Sequence, residues 1–272
     1  MRKWIMTGLI IWFALMFLVS GYLLVDYYVK DYKTEKSYDD LSNMVSQQRP
    51  DRPTPNENSD SATEPTEPPL VEVEHPETGE KRMLLMEYAE LFQMNPDLVG
   101  WIWIKGTKVD YPVMQTPDKT DYYLKRDFFK KYNGAGCIYA REQCDVFAPS
   151  DNITIYGHRM NTGAMFGELG QYEDEAFFKE NRYIFFDTIE ERHTYEVFSV
   201  FSISSSYKNG FQYHLFVDMD QEKFAEFVEQ CKTRSLYDTG VTAEYGDKFI
   251  TLSTCMKGNR SHRFVVVAKR VD

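Results

Sequence analysis

Apolar and polar positions along the chain fall into three regimes. From Trp4 to Val25 no side chain carries a charge, a run long enough as a helix to cross about 30 Å of hydrocarbon. Arg2 and Lys3 precede it and Asp26 follows, so the positive-inside rule predicts a single-pass anchor with a cytoplasmic stub at 1–3 and everything after the anchor outside. Trp4, Tyr22, Tyr27 and Tyr28 sit where interfacial aromatics belong. A cleaved signal peptide would have an apolar region of about 7–15 residues ending in an A-x-A-like site; this run is longer and no such site follows. Residues 26–48 then show scattered helical spacing (Tyr38, Leu41, Met44, Val45) among many charges, which predicts a juxtamembrane helix. In the second regime, 49–80, "RPDRPTPNENSDSATEPTEPPLVEVEHPETGE" is dominated by Pro, Thr, Glu, Asn and Ser. Such a stretch buries too little apolar surface to fold, and its prolines and like charges keep it extended. It reads as a spacer.

The third regime, 81–272, reads as one folded domain. "KRMLLMEYAELFQMNPDLVGW" places Leu84, Leu85, Tyr88, Leu91 and Phe92 at helical spacing and stops at Asn95-Pro96. Eight short apolar, β-branched or aromatic runs follow: Trp101–Ile104, Val109–Val113, Gly136–Tyr139, Ile153–Tyr156, Tyr183–Phe186, Thr194–Ile203, Lys248–Ser253 and Phe264–Ala268. Turn residues separate most of them, and many short strands with irregular connections predict a barrel or a sandwich. One strong helix interrupts them near 220–235, with Phe224, Phe227, Val228 and Cys231 on one face and Asp218 or Asp220 as its cap.

Charge changes the picture little. The formal net charge is −11, but residues 50–80 hold nine acidic side chains against Arg52 alone, so the folded part is nearly balanced. No clustered Lys and Arg make a nucleic-acid footprint. The acidic spacer is not read as a metal site, and no cofactor is implied. Four cysteines (Cys137, Cys144, Cys231, Cys255) show no staple framework. Cys231 falls on a helix's apolar face, and Cys137 and Cys144 are either a pair or two free thiols.

The chemistry concentrates in "FITLSTCMKGNRSHRFVVVAK", 249–269. If Phe249–Thr254 and Phe264–Ala268 are antiparallel neighbours, the eight-residue loop Met256–Arg263 returns Arg263 to the neighbourhood of Cys255. A guanidinium beside a thiol favours the thiolate and can bind the oxyanion that forms when sulfur attacks a carbonyl. A nucleophilic cysteine also needs a proton donor for the leaving amine. Of five histidines, His75 lies in the spacer, His193 in a charged turn where solvation is expected, and His214 after a loop with no evident partner. His262 adjoins Arg263 and so faces the opposite way. His158 closes the apolar strand of "ITIYGH", so its imidazole emerges, like Cys255, at a strand end.

"TLSTC" at 251–255, an arginine directly before "FVVVAK", and "IYGH" at 155–158 resemble the signatures of the sortase family of membrane-anchored cysteine transpeptidases. Class B is the nearest match: "NPDLVGWIWIKGTKVDYPVMQ" (95–115), "YGHRMNTGAMFGEL" (156–169) and the helix near 220–235 follow its pattern, over roughly 83–270. The class C pilus builders would carry a second hydrophobic segment after the domain and an Asp-Pro-aromatic lid motif, and neither is seen here. The resemblance implies an eight-stranded β-barrel with N-terminal helices and one helix inserted between the last strands. It also implies Cys255 as nucleophile, His158 as general acid and base, Arg263 as oxyanion and substrate clamp, the backbone N–H of Met256 as a second oxyanion donor, and Ser253, Met114 and Ser205 along the peptide groove. Arg260 is a rival for the arginine role, since the loop from Cys255 is short for class B and Lys257 stands where an acidic residue is often seen. The implied substrates are secreted proteins with a C-terminal sorting motif of Asn-Pro-x-Thr type, cleaved after Thr through a thioester. The implied acceptor is an amine of a peptidoglycan precursor, or a pilin lysine in a polymerising variant. An extracytoplasmic cysteine endopeptidase using water is the alternative activity.

Overall fold

The computed structural model describes residues 2–49, 68–205 and 210–272. Residues 50–67 of the expected spacer, and the side chain of Arg260, lie outside the described part. The chain divides into two compact units, residues 1–40 and 41–272.

The first unit is helical. The two helical stretches expected around Asp26 are one element, α1 (Arg2–Ser46). Past Asp26 its polar side chains support their own helix: Lys30 pairs with Asp26 at 2.7 Å, in the i,i+4 geometry that favours an exposed helix. The stretch beginning at Trp4 is long and apolar enough to cross a membrane.

The second unit opens on a difference from the sequence reading. Leu70–Glu74 (β1) pairs with Lys81–Leu85 (β2) in an antiparallel hairpin, with Leu70 opposite Leu85 and Glu74 opposite Lys81. The last part of the expected spacer is therefore a strand, and the expected helix begins only at Met86 (α2, Met86–Met94). The "LVEVE" run has the period-2 alternation of a half-buried strand, and it buries Val73. Leu84 and Leu85, read as helical, are fully buried from the hairpin instead.

Eight further strands close a barrel: β3 (Leu98–Trp103), β4 (Asp110–Met114), β5 (Ile138–Ala140), β6 (Asn152–Tyr156), β7 (Tyr183–Thr188), β8 (Thr194–Ser204), β9 (Phe249–Met256) and β10 (Asn259–Arg270). Around the barrel the order is β10-β8-β7-β3-β4-β5-β6-β9. Each corresponds to one of the eight runs in the sequence. Two pairings are parallel, β4 with β5 and β6 with β9; the second decides where the site lies. The short helix α3 (Glu175–Glu180) precedes β7. The long helix α4 (Gln221–Arg234) stands between β8 and β9, capped by Asp220, whose carboxylate accepts from the N–H of Lys223. Phe224, Phe227 and Cys231 of α4 pack with Phe198, Phe201, Phe249 and Val265 in one buried cluster.

Leu41 and Val45, at the end of α1, are buried in this unit. Just beyond, Asp110 on β4 accepts from Ser42 (2.5 Å), from Arg49 (3.0 Å) and from the indole N–H of Trp101 (2.6 Å). The Arg49 guanidinium also lies 4.6 Å over the Trp103 ring.

His193, expected to be solvated, is only 4 % exposed. Its Nδ1 lies 3.7 Å from the Asp272 carboxylate. Although burial opposes ionisation there, the nearby His193 imidazole and hydrogen bonds from Arg270 and the N–H of Thr194 hold the Asp272 carboxyl below its usual range. A charged turn in sequence thus becomes interior once β10 runs past it.

Candidate active site

β9 carries the thiol and lies between the two strands that carry its partners. On one side β6 runs parallel to it, with Ile155 opposite Leu252 and Tyr156 opposite Ser253. The N–H of Gly157 donates to the Ser253 carbonyl at 3.2 Å, which continues the ladder past β6 and brings His158 out level with Cys255. On the other side β10 runs antiparallel and sets Arg263 directly opposite Cys255. All three side chains line one groove of ≈ 610 Å³. The expected eight-residue loop is a hairpin: β9 extends to Met256, β10 starts at Asn259, and Gly258 turns the chain with φ +74, a conformation that suits glycine. An irregularity between Asn259 and Arg263 takes up the odd residues. The side chain of the rival Arg260 lies outside the described residues.

The four cysteines are separate thiols, three of them buried and Cys255 half-exposed. Burial pushes the Cys144 thiol up to about 11 and raises Cys231 well above its ordinary value, which keeps both protonated and inert. Exposure at a strand end distinguishes Cys255 from them.

His158 is held from two directions. Its Nε2 lies 2.8 Å from the Leu124 carbonyl; a carbonyl only accepts, so Nε2 carries a proton and Nδ1 is the nitrogen left for proton exchange. Its own carbonyl accepts from the N–H of Phe166 at 3.0 Å. The preceding Gly157 has no room for a side chain: an added Cβ would lie 2.7 Å from the Phe166 ring and closer still to Ile138, both fully buried. Gly157→Ala is expected to cost about 1–3 kcal/mol of stability through overpacking, read by a denaturant melt, and to lower turnover by displacing the imidazole.

The remaining expected residues divide. Ser253 is buried two positions before Cys255, on the same face of β9, and shares a 2.7 Å hydrogen bond with the Tyr213 hydroxyl. Ser205 lines the groove and donates through Oγ to the Ser261 carbonyl at 2.8 Å. Met256 is half-exposed directly after the thiol. Met114 is fully buried on β4, paired with Tyr139 of β5, and does not itself line the groove. His262 faces away as expected, with Nδ1 2.8 Å from the Asn259 amide nitrogen.

The sequence reading missed the groove's far wall. Tyr213 and His214 sit in a short 3-10 turn, Tyr213–Leu215. Burial raises the Tyr213 hydroxyl above its usual range, with Ser253 and Arg263 opposing that shift. Burial, and then the nearby Arg141, push the His214 imidazole down to about 4, so it is neutral at physiological pH. Tyr139 and Tyr156 form a cross-strand pair with ring centroids 5.6 Å apart. Alternation from His158 could have found Tyr156; no local pattern marks Tyr213.

A nucleophilic sulfur, a proton carrier and a guanidinium on three neighbouring strands are what acyl transfer needs. The family profile of the sortase domain matches residues 102–271. The chain belongs to the sortase family. Sortase B of Listeria monocytogenes is 29 % identical over 188 residues, covering 68 % of this chain and 74 % of that one. Sortase B of Staphylococcus aureus is 28 % identical over 186 residues, 67 % and 74 % respectively. A solved structure from Bacillus anthracis, described as similar to sortase B, superposes with a TM-score of 0.68 at 30 % identity, over 88 % of this chain and 96 % of that one. The protein is therefore a sortase-type transpeptidase acting on proteins that bear a sorting signal, and its resemblances are to class B. Its barrel, with α4 between late strands, is the sortase B fold.

Proposed function

We propose that this sortase cleaves a C-terminal sorting signal after threonine and passes the retained protein to an amine of the cell wall. What supports this reading is that Cys255, His158 and Arg263 emerge side by side from β9, β6 and β10 into one groove. The Cys255 thiolate attacks the threonine carbonyl carbon. The oxyanion is met by the Arg263 guanidinium and the N–H of Met256. The protonated His158 gives its proton to the leaving amine as the C–N bond breaks, and a thioester remains. A neutral acceptor amine then attacks the thioester carbonyl, loses its proton to His158, and expels the thiolate as the new amide forms. Ser253 and Ser205 line the path of the peptide. The motif is of Asn-Pro-x-Thr type and the acceptor a peptidoglycan precursor.

In the same reading, Trp4–Val25 crosses the membrane with Arg2 and Lys3 inside, residues 26–48 stand off it, and the barrel works outside the cell.

The test is an Asn-Pro-x-Thr peptide incubated with and without triglycine. Amide product growing with triglycine is expected. Free acid alone, at a rate indifferent to amine, would mean an endopeptidase, and preference for a pilin-like lysine peptide over triglycine would move the acceptor to a pilus subunit.

A further inference from the structure

Alternation along three strands gives the groove a scale. Cys255 and His158 form its top row, and Ser253, Tyr156 and Tyr139 form the next, since Tyr156 lies opposite both Ser253 and Tyr139. One further row down, the N–H of Arg141 donates to the Thr154 carbonyl at 2.8 Å, placing Arg141 on the same face as Tyr139. Four residues separate Thr154 from His158, about 13 Å at strand rise. Arg141 lines the same groove as the thiol. An extended peptide covers that span in four residues. The part of a substrate that stays on the enzyme after the leaving group departs is the part upstream of the acylated residue, so that part needs the groove.

The guanidinium is held in place. Its Nε donates to the Gln143 side chain, and its Nη1 donates to the His214 carbonyl at 2.9 Å, tying the end of β5 to the Tyr213–Leu215 wall. Nη2 makes no hydrogen bond among the described residues. Two carboxylates share the groove and both are engaged: Glu142 by the Thr120 hydroxyl at 3.1 Å and the Gln143 amide at 2.8 Å, and Asp121 by the Tyr139 hydroxyl at 2.7 Å; His214 is neutral. The row therefore presents a fixed positive charge with donor capacity to spare.

Resting on the function proposed above, we infer that Arg141 is a specificity-determining residue that selects an acidic side chain four positions before the acylated threonine, immediately upstream of the four-residue motif. A planar guanidinium suits a carboxylate there.

The test uses three Asn-Pro-x-Thr peptides that differ only in carrying Glu, Ala or Lys at that upstream position, assayed with triglycine against the full chain and against Arg141→Glu. The parent is expected to favour Glu over Ala by about fivefold in kcat/KM, as one half-exposed charge pair allows, and to disfavour Lys. Arg141→Glu is expected to reverse the order. A purely structural tie to the His214 carbonyl would lower all three peptides together and leave their ratios unchanged, which would overturn the inference. Equal turnover of all three by the parent would also overturn it while leaving transpeptidation standing. No turnover of any peptide by the parent would overturn both.

Discussion

Cys255→Ala is expected to abolish transpeptidation, a loss of about 10⁴-fold or more, as removal of an enzyme's nucleophile does. Fold and stability should be nearly unchanged. The residue is half-exposed at a strand end, so truncation opens no cavity, and substitutions at such positions fall within about ±0.5 kcal/mol. Thermal melting and peptide turnover on the same preparation separate the two effects. The buried cysteines make the contrast: Cys231→Ala removes a thiol from the cluster of Phe198, Phe227 and Phe249, so stability should fall while chemistry on the folded fraction persists. If Cys255→Ala retained transpeptidation, the nucleophile would be a residue other than Cys255.

Arg263→Ala is expected to lower kcat/KM by about 10²–10³-fold, the range seen when one oxyanion donor is removed. Its backbone is fixed on both sides, opposite Cys255 on β9 and opposite Ile203 on β8, and its side chain lines the groove beside the thiol. Arg263→Lys should recover only part of the loss, because an ammonium keeps the charge but not the planar fork. The effect should fall mainly on kcat, since the interaction tightens in the transition state. A variant with a raised KM and an intact kcat would instead make Arg263 a ground-state contact with the peptide.

All eight barrel strands were legible in the sequence because each is a short β-branched or aromatic run bounded by turn residues. The cap of α4 was legible as Asp218 or Asp220, because both lie just before the helical face that begins at Phe224, and the structure uses Asp220. The hairpin of β1 and β2 was not. "LVEVE" alternates over five residues only and lies beside proline and glutamate, so composition masked a pairing that needs its partner at Lys81–Leu85. His193 was misjudged for a related reason: Asp272, which lies against it, is 79 positions away in the chain. In the groove, Cys255, His158 and Ser253 were readable because strand ends and alternation are local properties. Tyr213, His214 and Arg141 were not, since their position depends on where the Tyr213–Leu215 turn folds back over β5 and β9. For Met114, the run carries no sign of how deeply the residue is buried.

The account rests on covalent chemistry at one sulfur. Intact-mass analysis of the protein incubated with an Asn-Pro-x-Thr peptide, followed by digestion to locate the adduct, examines that directly. The expected result is an added mass equal to the peptide up to its threonine less one water, on the fragment containing Cys255, discharged by hydroxylamine or triglycine. An adduct on another residue, or turnover of the peptide with no acyl-enzyme at Cys255 even in the absence of amine, would contradict it.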